Sequence, residues 1–202
     1  MIGFLLNGNH LKGEKMILDY KDVNDLNRYK IMSGSIVPRP IAWIVTEDNG
    51  VLNAAPFSYF IPISTNPALV IVAIGRKENE SPKDTLANIL KTKKATICFP
   101  NKDNVDQVQK CATQLPKDES EIEKYEIEVK KELEDYPPMI CSTQTALFCE
   151  YYDTYKVDGD ITPVILKINY QYIEDGRINE RNHTNIDSIG RSGVTFKAMV
   201  DL

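Results

Sequence analysis

Histidine is nearly missing from this sequence: His10 and His183 are the two in 202 residues. No H-E-x-x-H pair can form, and no G-x-S-x-G elbow offers His183 a nucleophile, which argues against hydrolysis by a catalytic triad. The four cysteines, Cys98, Cys111, Cys141 and Cys149, never fall at C-x-x-C spacing, so zinc and redox-dithiol motifs are absent too. Free cysteine in apolar or helical context packs as a small hydrophobe. No G-x-G-x-x-G follows any predicted strand, which excludes a separate dinucleotide domain. Basic excess is also lacking: the net charge is −5 and the pI about 5.2. A partner of duplex nucleic acid needs the opposite field. No apolar run approaches the ~20 residues that span a bilayer, and Phe4-Leu5-Leu6 is shorter than the about 7–15 apolar residues of a signal core. The expectation is a cytoplasmic protein whose chemistry, if it has any, is brought by a cofactor.

What is present is one domain's worth of chain, 42% hydrophobic and 26% charged. Residues 1–15 read as an extension ahead of a domain over 16–202. The stretch around which the rest is organised is Ser35–Phe60. Asn49-Gly50 separates the apolar segments Ile41–Val45 and Val51–Phe60, and both turn residues tolerate positive φ, so a hairpin is predicted. Its second strand carries small residues and Pro56, which belongs at an edge or a bulge. The backbone groups left open there need partners; solvent, another subunit or a planar heteroaromatic ligand could supply them.

Elsewhere, Asp22–Lys30 is expected to be a short helix with Leu26 inward, Ser33–Pro40 a loop and Ile61–Pro67 a polar connection. Arg39 sits between two prolines that hold the backbone extended. Ala68–Ile74 reads as a buried strand. Ser81-Pro82-Lys83-Asp84-Thr85 reads as a helix start, with Ser81 as N-cap, Pro82 at the first helical position and Asp84 closing a capping box. A strand over Ala95–Phe99 and a helix over Asp103–Ala112 follow. Lys117–Lys131 looks like a solvated, marginal helix or an excursion without chemistry, ended by Pro137-Pro138. Strands over Thr145–Tyr152 and Pro163–Ile173 flank an Asp158-Gly159 turn. Asp175-Gly176 turns again before a loop-rich C-terminus containing Gly190-Arg191-Ser192-Gly193. Hairpin-joined strands with an inserted helix give a mainly β barrel with flanking helices.

The Ser81–Thr85 helix start is also a candidate anion site, because free N–H groups and the helix dipole favour negative charge there. Lys83 and Thr85 add an ammonium and a hydroxyl. Asp84 opposes an anion unless its carboxylate turns away. The plain alternative is a capped surface helix.

P-R-P-I-A-W, then N-A-A-P-F-S-Y-F, then K-D-T-L-A-N-I, in this order and spacing, resembles the flavin reductase-like FMN-binding split-barrel family. The similarity extends to its nitrilotriacetate monooxygenase component B and flavoredoxin-like branches, over roughly Asp19 to Phe196. The resemblance implies a split β-barrel homodimer that binds FMN near the subunit boundary. Carried onto this sequence, Asn53, Ala54, Ala55, Pro56 and Phe57 would meet the isoalloxazine edge, and Ser58 the ribityl chain or phosphate. Arg39, Lys83 and Thr85, beside Asp84, would hold the phosphate, and Trp43 would stack near the ring or else pack in the core as strand tryptophans commonly do. No catalytic side chain and no metal ligand is implied. NADH or NADPH would donate hydride, and a flavin-dependent monooxygenase or other redox protein would receive the electrons. Two departures stand out. Many family members carry a histidine after the late-hairpin Gly-Asp, where this chain has Ile161. The family's G-R-x-G-G is only partial here, with Val194 after Gly193. The missing histidine keeps a second function open, an FMN electron carrier reduced by another protein. A third is a phosphate-ligand barrel without redox work.

Overall fold

A computed structural model of the chain describes residues 17–198; the expected extension over 1–15, with His10, lies outside them. Helix α1 (Asp25–Ser35) precedes strands β1 (Arg39–Pro40), β2 (Ala42–Asp48), β3 (Val51–Phe57), β4 (Phe60–Thr65) and β5 (Ala68–Gly75). Helix α2 (Asp84–Thr92) leads into β6 (Lys94–Cys98). Two short helices follow, α3 (Val105–Lys110) and α4 (Glu121–Lys124), then the two-residue strands β7 (Val129–Lys130) and β8 (Met139–Ile140). The long hairpin β9 (Thr145–Thr154) and β10 (Ile161–Ile173) and a last hairpin, β11 (Ile189–Ser192) and β12 (Thr195–Ala198), complete the described chain.

Seven strands form one antiparallel sheet in the order β3-β2-β6-β9-β10-β5-β4. Its first and last strands, β3 and β4, are joined by Ser58 and Tyr59 alone. Two residues cannot cross a flat seven-stranded sheet, so the sheet curls until its ends meet at an open seam. That is a split barrel.

Both faces of the sheet are covered. Ala42, Ile44, Val72, Ile97, Val164 and Leu166 fill the barrel interior, closed at one end by Leu86 and Ile89 of α2. Trp43, Val45, Ala54 and Phe148 face outward and are roofed by Val108, Cys111, Ile122 and Ile127. This second layer explains why Ala42–Val45 is buried at every position rather than at alternate ones.

The Asn49-Gly50 hairpin forms as expected, with φ of 52° and 81°. So do the strands read over 68–74, 95–99, 145–152 and 163–173, within one or two residues at most ends. Several expectations are corrected. Helix α1 runs on to Ser35, where a loop was expected, and Leu26 points outward at 63% exposure. Its apolar side, Leu26, Tyr29, Met32 and Ile36, meets no core among the described residues. The expected polar connection over 61–67 is mostly strand β4, whose Ile61 and Ile63 are exposed at the sheet edge. The segment 117–131 is helical only at α4, and Ile122 and Ile127 pin it to the outward face of the sheet. The C-terminus is a hairpin rather than loop. β11 lies against β1 because Gly190 has no Cβ; one there would stand 2.7 Å from the Pro38 Cβ.

Candidate functional site

The edge of β3 away from β2 borders a trough. At one end is a cavity of about 160 Å³ between Asn53, Ala55 and Pro56 on one wall and Lys77, Lys83 and Thr85 on another. It adjoins a second cavity of about 280 Å³, which shares Pro56 and Phe57 and adds Ser58, Tyr29, Arg191 and Phe196. Ala55 and Lys83 thus line one cavity, as a single elongated ligand would require.

The Lys83 end is built from the start of α2. Ser81 does not cap it: the Ser81 hydroxyl and backbone N–H both donate to Asn79 Oδ1, at 2.6 and 3.2 Å. Pro82 is held in a bridge opposite Arg76. The helix therefore begins later, with Lys83 in the cap position and no side-chain cap bond. Its first N–H groups stay open, with the positive end of the dipole behind them. Asp84 closes no capping box. Both of its oxygens go to the Lys77 ammonium, at 2.8 and 2.7 Å, which neutralises the carboxylate that opposed an anion here. Lys83 forms no ion pair among the described residues.

Thr85 behaves differently from Lys83. It is 1% exposed, and its hydroxyl donates to Asn53 Oδ1 at 2.8 Å. A hydroxyl has one proton to give, so Thr85 offers an anion its backbone N–H rather than its side chain. Asn53 also donates from Nδ2 to Glu121 Oε2 at 2.8 Å, and the same oxygen accepts the Ala54 N–H at 3.0 Å. Glu121, on the segment read as chemically silent, therefore takes a β3 backbone donor expected to face a ring. Ala54 itself is fully buried. Asn53, Ala55, Pro56 and Phe57 are the lining part of the strand.

Arg39 does not line the Lys83 cavity. Arg39 is 6% exposed; its Nη1 donates to the Ser33 and Ile36 carbonyls and its Nε reaches Ser58 Oγ at 3.4 Å. Of the expected cradle of Arg39, Lys83 and Thr85, the last two line the smaller cavity and Arg39 lines neither. Trp43 is fully buried in the outer layer and lines neither cavity. His183 is exposed, and neither it nor Ile161 lines the trough.

A larger cavity, about 400 Å³, lies on the far side of Asn53 and is walled by Asp48, Asp84, Asp118, Glu119 and Glu121. Lys117 stands against the acidic majority, and Lys91 and Lys117 together hold the Asp48 carboxyl below its usual range. That field repels a phosphate; the trough shares only Asp84, paired with Lys77, and Glu121 of that set, and is the better candidate for an anionic ligand. Cys111 borders the trough, but burial and the nearby Glu121 push its thiol up to about 12. Near neutral pH it is a thiol and no nucleophile.

Lys77, Glu121 and Phe196 were missed by the sequence reading. Nothing in the residue pattern marks Glu121, which comes to Asn53 and Ala54 from 67 positions away or more. Arg191 stood in the partial G-R-S-G motif without a role.

Fold and trough together define a split-barrel protein with an elongated cleft, lysine-bearing at one end and aromatic-walled at the other. The family model "Flavin reductase like domain" matches residues 32–185, and the chain belongs to that family. An uncharacterized protein of Halalkalibacterium halodurans is 34% identical over 109 residues, covering 54% of this chain and 52% of the relative. The match thus spans about half of that relative's length. Among solved structures, nitrilotriacetate monooxygenase component B from Bacillus cereus superposes with a TM-score of 0.87 at 22% identity, covering 94% of this chain and 98% of the other. Flavoredoxin from Methanosarcina acetivorans gives 0.72 at 15% identity, covering 94% of each. These two likenesses establish the fold.

Proposed function

We propose that this chain is an FMN-binding oxidoreductase that accepts hydride from NADH or NADPH and passes reducing equivalents to a flavin-dependent monooxygenase or another redox protein. The observation that carries the proposal is the single trough, with an uncapped, lysine-bearing helix start at one end and aromatic walls at the other. That donor set fits a phosphorylated flavin. Lys83 and the first N–H groups of α2 would hold the phosphate, and Ala55, Pro56, Phe57 and Ser58 the remainder. Bound FMN would supply the electron-accepting ring. The chain's own part is to orient the two partners and exclude water, since neither described cavity offers a histidine or a thiolate for acid–base work.

Ile161 favours a second reading. Where the family resemblance implies a histidine, this chain has an exposed aliphatic residue, which suits an FMN electron carrier reduced by another protein. Stopped-flow mixing of the FMN-loaded protein with NADH and with NADPH separates the two. Rapid bleaching of the flavin band is expected; bleaching no faster than for free FMN removes the reductase reading and leaves the carrier.

We further propose a homodimer. The outward apolar side of α1 and the exposed Ile61 and Ile63 on edge strand β4 are the surfaces that support it. No described helix is long and apolar enough to cross a membrane.

A further inference from the structure

The Ser58 end of the trough carries positive charge that nothing above uses. Arg39 on β1 stands opposite Arg191 on β11, and Arg191 stands opposite Phe196 on β12. Register partners share a face, so the three side chains form one row, and the Arg191 guanidinium carbon lies 4.5 Å from the Phe196 ring centroid. Like charges directly opposite each other destabilise a strand pair. Yet neither arginine has a carboxylate within 4.0 Å among the described residues.

Arg39 is buried, and its Nη2 has no hydrogen-bond partner. Arg191 commits Nε to the Gly193 carbonyl at 3.3 Å, which leaves both terminal nitrogens for a ligand. It borders the 280 Å³ cavity beside Tyr29, Phe57, Ser58 and Phe196. Two guanidinium groups without a counter-charge, next to an aromatic-walled cavity, are chemistry for an anion attached to a flat ring. A guanidinium fork matches phosphate oxygens two at a time. Arg191 lines the cavity at the Ser58 end, and Lys83 lines the other.

We propose that Arg191, with the Arg39 charge behind it, binds the pyrophosphate of a pyridine dinucleotide at the Ser58 end, while the Lys83 end keeps the phosphate of FMN. The proposal rests on the flavin reading of the trough, and it names the group that would hold the hydride donor in place of a Gly-rich loop.

The test is equilibrium binding of NAD⁺ and NADP⁺, which cannot reduce the flavin, to FMN-loaded protein, read from the perturbed flavin absorption. Arg191→Gln should weaken dinucleotide binding roughly tenfold or more while FMN affinity stays within about twofold. Arg191→Lys, which keeps the charge without the fork, should fall between. Inorganic pyrophosphate should compete with the dinucleotide on the wild type and lose that effect in Arg191→Gln. Unchanged dinucleotide affinity in Arg191→Gln overturns the proposal. So does loss of FMN in that variant, which would give Arg191 to the flavin instead. A wild type that takes up FMN but shows no dinucleotide signal also sinks it and leaves the flavin reading standing. Failure to take up FMN removes both.

Discussion

Lys83 and Thr85 sit side by side in the K-D-T motif, yet their side chains have different work. The Lys83 ammonium is unpaired among the described residues, whereas the Thr85 hydroxyl is spent on Asn53 Oδ1. Lys83→Ala should therefore weaken FMN binding by about 1.5–3 kcal/mol, the range for a hydrogen bond to a charged group. Thr85→Ser, which keeps the donor to Asn53, should change affinity little. Titration followed by flavin fluorescence checks both, and an equal loss in the two variants would contradict the division. At this scale the sequence was readable where a residue's role follows from its local backbone. Lys83 at a helix start is such a case. Arg39 was not, because its bonds to the Ser33 and Ile36 carbonyls depend on where a helix ends; Trp43 takes the core place that was the alternative to a ring contact.

The short helix α4 shows how little of an element's role lies in its own residues. Propensity and charge make 117–131 look solvated, and four helical residues are a poor nucleus on their own. The segment stays because Ile122 and Ile127 are buried and because Glu121, 5% exposed, reaches two donors on β3. Glu121→Ala leaves the Asn53 amide and the Ala54 N–H without an acceptor and should cost about 1–3 kcal/mol of stability. Urea unfolding measures this; a midpoint matching the wild type would mean that the apolar anchors alone hold the segment. The alternating and continuous apolar runs made β2, β5 and β10 legible, since period and length suffice for strands with buried faces. β4 and β11 were not legible: one is an edge strand with proline and exposed isoleucines, the other a short, glycine-bearing partner of β1.

For the whole molecule, the sequence pattern carried the barrel but not its second layer, which is assembled from residues of 105–140 that form only short elements. The apolar side of α1 raises the question of assembly directly. Leu26→Glu, at a position 63% exposed and outside the trough, should convert a dimer to a monomer, as read by light scattering. A wild type that already has monomer mass would count against the dimer. Chain order and sheet order also differ in a way that bears on how the protein is made. The first four long strands, β2 to β5, supply the two flanks of the barrel, while β6, β9 and β10 fill the gap between them. A nascent chain ending before Thr145 would hold β6 without its second neighbour and β5 without its inner one. The late hairpin is thus a keystone, and no N-terminal fragment is a smaller barrel.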